Sequence, residues 1–108
     1  MRTAEIQMNG TPAGVLEETE EGYSFRYLEA YLADKDAKPI SLSLPLKQED
    51  YFDKRLFPFF DGLIPEGWLL DIAEKTWKID ARDRMGLLLA CCRDCIGAVS
   101  VLAQEQNQ

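Results

Sequence analysis

The sequence predicts a small α+β domain in which an antiparallel sheet comes first, followed by two helices and a closing strand. Apolar and polar residues alternate over 2–8 and 23–27, as is typical of half-buried strands, and 13–18, with Val15 and Leu16, follows a turn as a return strand. Two later stretches have apolar residues at helical spacing. A chain of 108 residues is close to the commonest domain size, so we expect one domain over 1–108.

Composition narrows the functional class. Apolar residues make up 46% and charged residues 29% of the chain, which is ordinary for a globular protein. The net charge is −7, whereas nucleic-acid binders usually carry a basic surface, so direct binding to DNA or RNA is not expected. The local basic clusters are Lys47, Lys54-Arg55 and Arg82 with Arg84, each with acids nearby.

The sequence contains neither a long apolar run of roughly 18 residues nor an apolar segment near its start. We therefore expect a soluble, cytoplasmic protein that does not associate with a membrane.

The first two strands are predicted to form a hairpin. Asn9-Gly10 is a strong two-residue turn signal between them. Pro12 follows directly, and it predicts either a longer loop or an edge position. Tyr23–Tyr27 is predicted as a third strand with an aromatic face.

The middle of the chain offers three further elements. Residues 28–33 are compatible with a single helical turn or with extended chain. Residues 39–46 alternate strictly, which predicts a strand with its four aliphatic residues facing inward: Ile40, Leu42, Leu44 and Leu46. Residues 48–55 are charged and are interpreted as a loop with a short helix.

Two helices and a last strand complete the predicted fold. Pro65 suits the first turn of a helix because its missing N–H would have no partner there, and this helix should reach 77 or 78. Asp80 is the predicted cap of a second, largely buried helix, with Asp83 in its first turn. Residues 97–103 form the closing strand.

The segment from Leu56 to Trp68 is the candidate site. It contains three phenylalanines, two prolines, two glycines and a tryptophan, which make it too interrupted for a regular element and too apolar for an idle loop. We predict that it is a partner-binding surface. The residues proposed to contact the partner are Phe59, Phe60, Asp61, Gly62, Ile64, Pro65, Glu66, Gly67 and Trp68.

Each aromatic group in this segment has two interpretations. Trp68 lies at the edge of the apolar stripe of its helix, so it is either a lid over the core or an exposed anchor of the kind common at interfaces. The phenylalanines Phe57, Phe59 and Phe60 either serve the core alone or share their surface between core and interface.

Enzymatic chemistry is poorly supported. The chain has no histidine, the commonest general base near neutral pH, and it shows no phosphate-binding glycine-rich loop. Cys92 and Cys95 have the spacing of a redox or zinc pair, but structural zinc needs four ligands and the third cysteine, Cys91, is adjacent. We expect buried or incidental thiols, no cofactor, no metal and no catalysis.

Five sequence blocks carry a family resemblance. They are Y-S-F-R-Y (23–27), P-I-S-L-S-L-P-L (39–46), F-F-D-G-L-I-P-E-G-W (59–68), D-R-M-G-L-L-L-A (83–90) and D-C-I-G-A-V-S-V (94–101). In this order and spacing the chain resembles the N-terminal subdomain of HipA toxin kinases. The resemblance implies a domain that packs against the N-terminal lobe of a serine/threonine kinase.

The sequence ends at Gln108 without a kinase motif, so we expect a stand-alone protein similar to the HipS antitoxins of tripartite HipBST systems. That resemblance implies that the chain binds and inhibits a separate HipT-like kinase toxin. It also implies a larger complex with a HipB-like helix-turn-helix protein that binds DNA. The alternatives are a non-inhibitory assembly module linking kinase to HipB, a thiol redox protein, and a fragment of a full-length HipA.

Overall fold

Within the residues that the computed structural model describes, namely 2–64, 75, 82–91 and 98–104, five antiparallel strands form one sheet. Their order is β4-β3-β2-β1-β5. The strands are β1 (Thr3–Met8), β2 (Thr11–Glu18), β3 (Tyr23–Tyr27), β4 (Tyr51–Asp53) and β5 (Val99–Gln104), and the helices are α1 (Glu29–Ala33), α2 (Pro58–Asp61) and α3 (Arg84–Cys91). The predicted α+β class and the closing strand are confirmed.

The β1–β2 hairpin turns at Asn9-Gly10, as predicted. Both residues have positive φ angles, 52° and 82°, which is the conformation that the tightest hairpin turns require. Of the two alternatives predicted from Pro12, the edge position is observed and the longer loop is not. Pro12 is tolerated because it lies beyond Gly14, the first β2 residue that pairs with β3, so β2 has a neighbour on one side only at that point.

One face of the sheet carries the core. Alternate strand residues are fully buried there, and α3 covers them with three fully buried side chains. The strand residues are Ala4, Ile6, Leu16, Phe25 and Val101, and the α3 residues are Met85, Leu87 and Leu88. Burying each of the larger side chains contributes roughly 1.5–3 kcal/mol, so this layer supplies the main driving force for packing α3 on the sheet.

The strand predicted over 39–46 is wrong. The segment forms a tight turn with an isolated bridge between Ser41 and Leu44. Ile40 and Leu44 are buried, as expected, but Leu42 is 95% exposed. The hydroxyl of Tyr27 holds the segment by accepting from the Ile40 N–H and donating to the Leu44 carbonyl. These backbone groups are therefore satisfied by a side chain, in place of the hydrogen bonds that a neighbouring strand would have supplied.

The short helix predicted within 48–55 is also wrong. Tyr51–Asp53 forms the edge strand β4, which pairs with β3 through Tyr23↔Asp53 and Phe25↔Tyr51. The alternative of a helical turn over 28–33 is observed as α1.

The cap of α3 differs from the prediction. Asp83, immediately before the helix, accepts a hydrogen bond from the Gly86 N–H over 3.1 Å, which is N-cap geometry. Asp80, the predicted cap, lies outside the described residues, and so does almost all of the helix predicted over 65–78.

Candidate functional site

The candidate site begins at a short helix, α2. Phe57 is extended, with φ −51° and ψ 136°, and Pro58 then occupies the first turn, where its fixed φ favours helix. The N–H groups of Asp61 and Gly62 bond to the carbonyls of Phe57 and Pro58, each over 2.9 Å. Residues 56–64 are hereafter the α2 segment. The prediction that it is too interrupted for regular structure is wrong at these four helical positions.

Two predicted contact residues of the α2 segment face the interior. Phe60 is 0% exposed and Ile64 is 3% exposed. The centroid of the Phe60 ring lies 5.6 Å from that of Phe25 on the sheet and 6.1 Å from that of Phe57. The side chains of Phe60 and Ile64 therefore hold the segment on the sheet and do not reach its outer surface.

Three other predicted contact residues lie at the surface. Phe59 and Asp61 are half-buried, and Gly62 is exposed. The Phe59 ring meets the Phe60 ring edge-on, with centroids 5.2 Å apart. Because Phe60 is fixed in the core, Phe59 is presented in a defined orientation, which lowers the entropy lost when an aromatic side chain is bound.

Pro65, Glu66, Gly67 and Trp68 lie outside the described residues. The two interpretations of Trp68, lid or anchor, therefore remain predictions. Cys92 and Cys95 lie outside the described residues as well.

An ion pair fixes the outer end of α2. Nε of Arg84 lies 2.6 Å from Oδ1 of Asp61, and both side chains are about two-fifths exposed, at 35% and 44%. The pair connects α2 to the first residue of α3. It contributes orientation more than stability, because exposed ion pairs are worth up to about 1 kcal/mol.

A cleft of about 330 Å³ opens beside this ion pair. It is lined by Tyr23, Lys54, Arg55, Leu56, Asp61 and Arg84. In the sequence, its basic residues belong to two separate clusters with acids nearby. Only the folded structure shows that these clusters meet, since Lys54 and Arg84 are far apart in the sequence.

The start of α3 is fixed by Arg2. Its guanidinium bonds to both carboxylate oxygens of Glu18, at 3.0 and 2.8 Å, and to both of Asp83, at 2.9 and 2.7 Å. Hydrogen bonding from Arg2 lowers the pKa of Glu18 and of Asp83, and the same bonds raise the pKa of Arg2. A Cβ at Gly86 would lie 2.4 Å from the Asp83 carboxylate, so glycine is required beside this arrangement.

The described residues also bear on membrane association and on metal binding. None of the helices seen there has the length and apolar character needed to span a bilayer. Nor do three or more carboxylates or thiols converge there in a way that would hold a metal ion.

The sheet order and the short covering helices define a small α+β domain with known relatives. Residues 4–102 match the HipA N-terminal domain family. The chain belongs to this family. A solved structure, the N-terminal domain of HipA toxin, superposes with a TM-score of 0.75 and 30% identity, covering 99% of this chain and 96% of that one.

Two sequence relatives differ in length. An uncharacterized protein of Haemophilus influenzae is 33% identical over 108 residues, which are 100% of this chain and 96% of the relative. Putative kinase Y4mE of Sinorhizobium fredii is 28% identical over 108 residues, but these are 26% of that protein. The domain thus occurs both in a protein of about this length and as a small part of a longer one.

Proposed function

We propose that this protein is a HipS-type antitoxin that binds and inhibits a separate HipA-like serine/threonine kinase of the HipT type. The observation that carries the proposal is the family match over residues 4–102, together with a Haemophilus influenzae relative of nearly the same length. In the Sinorhizobium fredii protein, named a putative kinase, the matching region is 26% of the chain. A domain that is part of a kinase chain in one organism can act as a separate binding partner of such a kinase in another.

The α2 segment is the proposed contact surface. Its buried residues, Phe60 and Ile64, support a fixed turn from which Phe59, Asp61 and Gly62 face outward. The neighbouring Pro65–Trp68 is proposed to extend this surface, with Trp68 as the anchor. Because phosphoryl transfer depends on positioning, an anchor held at the kinase cleft would inhibit without chemistry of its own.

We propose no catalytic activity for the protein itself. The chain lacks histidine, and the ionisable residues with lowered carboxylate pKa values, Glu18 and Asp83, are both bound to Arg2. A perturbed carboxylate can mark a catalytic site, but here the perturbation has a structural cause.

The test uses this protein and the HipA-type kinase of the same genome. The two are co-purified, and phosphoryl transfer by the kinase is measured with increasing amounts of this protein. Inhibition at stoichiometric ratios is expected. A stable complex with unchanged kinase activity would overturn inhibition and favour the alternative, an assembly module that links the kinase to a HipB-like DNA-binding protein.

Two variants locate the contact. Trp68→Ala is expected to weaken binding about 30-fold, the usual effect of truncating a central tryptophan anchor. Phe59→Ala should weaken it by a smaller factor, because part of that ring is buried within the domain. Leu42→Ala is the control, since Leu42 is 95% exposed and lies in the 39–46 turn. Unchanged binding of a folded Trp68→Ala protein would exclude Trp68 as the anchor.

A further inference from the structure

We infer that the cleft beside α2 receives acidic side chains of the partner kinase and thereby steers the two proteins together. This inference rests on the proposed function and names a second contact on the same surface. The cleft, hereafter the basic cleft, is the space of about 330 Å³ between Tyr23, the Lys54–Leu56 stretch, Asp61 and Arg84.

The charge balance of the basic cleft differs from that of the protein. Three of its lining residues are cationic and one is anionic, while the whole chain has a net charge of −7. Asp61 already neutralises Arg84 over 2.6 Å. Within the described ranges, the side chains of Lys54 and Arg55 are exposed and have no carboxylate partner.

A second, larger cleft provides a comparison. It measures about 570 Å³, and its charged lining residues are Asp34, Lys35, Asp36 and Lys38. Its two acids and two lysines balance, so it offers no net attraction for a charged group. The excess of positive charge is therefore a property of the basic cleft and not of concave surface in general.

The side-chain chemistry and the position of the basic cleft favour a protein carboxylate as its occupant. Arg55 supplies a planar guanidinium that binds carboxylates in two-pronged fashion, and Lys54 adds a point charge next to it. Asp61 belongs both to this cleft and to the α2 segment. A partner seated on α2 consequently places its own side chains over Lys54 and Arg55.

Such charges act mainly on the association rate. Complementary charge raises the rate constant for association by about 10–1,000-fold at low salt, and salt screens the effect. A local positive cleft would orient the approach of an acidic region of the partner, because the net charge of −7 on the whole chain opposes that approach elsewhere on average.

The experiment compares two variants with the same net charge. Lys54→Glu with Arg55→Glu reverses the basic cleft, and Lys35→Glu with Lys38→Glu reverses exposed lysines at the balanced cleft. Association with the kinase is followed by stopped-flow fluorescence at low and high salt. The basic-cleft variant should associate at least about tenfold more slowly at low salt and lose most of its salt dependence. The control should stay close to wild type.

The outcomes separate the inference from the proposed function. Equal rates for both double variants, with wild type still bound, would overturn the basic cleft and leave the α2 contact in place. No binding by wild type would overturn the proposed function and this inference with it. Phosphatase treatment of the kinase should leave the association rate unchanged. A lower rate would show that the basic cleft receives phosphate groups of the kinase and not carboxylates.

Discussion

The hydroxyl of Tyr27 donates a hydrogen bond to the carbonyl oxygen of Leu44 while accepting one from the Ile40 N–H over 3.1 Å. Tyr27 is in β3 and is 4% exposed, so a single buried phenol fastens the 39–46 turn to the sheet. Burial raises the pKa of this phenol, while the Ile40 N–H opposes the shift. The hydroxyl therefore stays protonated and keeps its role as a donor.

Tyr27→Phe should lower the free energy of unfolding by roughly 1–3 kcal/mol. The substitution keeps the ring but leaves the buried Ile40 N–H and Leu44 carbonyl without their partner. Urea unfolding followed by circular dichroism measures the change. Tyr23→Phe is the matched control, since the Tyr23 hydroxyl makes no hydrogen bond among the described residues. Equal losses for the two variants would contradict the role assigned to Tyr27.

Phe60→Ala should destabilise the domain by about 3–5 kcal/mol, as expected for a fully buried phenylalanine replaced by alanine. Phe59→Ala should cost less because Phe59 is half-buried. Leu42→Ala should change stability by less than about 0.5 kcal/mol. Chemical unfolding of the three variants gives the ranking, and a Phe60→Ala protein as stable as Leu42→Ala would refute the core position of Phe60.

Arg2→Ala should cost roughly 1–2 kcal/mol at neutral pH, because four charge-assisted hydrogen bonds are lost at a partly exposed site. The bonds lower the carboxylate pKa values of Glu18 and Asp83 from ordinary values of 4.5 and 3.8. Their stabilisation is therefore complete above these values and is lost as the pH falls through the lowered ones.

Unfolding curves recorded from neutral pH to below about 3 test this sign. The difference in stability between wild type and Arg2→Ala should shrink on acidification. Arg26→Ala is the control, because Arg26 is exposed on β3 and has no carboxylate partner in the described part of the chain. If the difference in stability between wild type and Arg2→Ala grew towards acid pH, the stabilisation of the ionised Glu18 and Asp83 by Arg2 would be contradicted.

Gly22→Ala should destabilise by at least about 2 kcal/mol. Gly22 has φ +155°, and a Cβ there would lie 2.3 Å from the Asp53 carbonyl oxygen and 2.7 Å from the Lys54 Cα. Gly10→Ala should cost only about 1 kcal/mol, since its φ of +82° is strained for alanine but its Cβ would meet nothing within 4 Å. Thermal unfolding distinguishes the two, and similar losses would argue against the close contact of Gly22 with β4.

Sequence patterns predicted the elements that have strong local signals, whether their partners are near or far in the chain. The Asn9-Gly10 turn and the strand Tyr23–Tyr27 were identified from local signals, and both are observed. The 39–46 strand was wrong because alternation alone cannot distinguish a strand from a turn held by a distant hydroxyl, here that of Tyr27. The strand at Tyr51–Asp53 was missed since its partner, β3, supplies most of what makes it extended.

The burial of the residues in the candidate site could be predicted only in part, for the same reason. Apolar content marked the α2 segment, but it could not tell Phe60, which is buried, from Phe59, which is half-buried. That difference depends on where Phe25 lies, and Phe25 belongs to the sheet. Likewise, the pairing of Asp61 with Arg84 joins helices that no short-range pattern relates.

The strand order also determines the order in which the sheet can assemble. β1 is flanked by β2 on one side and by β5 on the other, and the second pairing joins Thr3 to Gln104 across almost the whole sequence. During synthesis the hairpin of β1 and β2 can close early, whereas the opposite edge of β1 stays unpaired until β5 has been synthesised. Nascent chains therefore expose an unpaired strand edge that is open to mispairing until β5 joins the sheet.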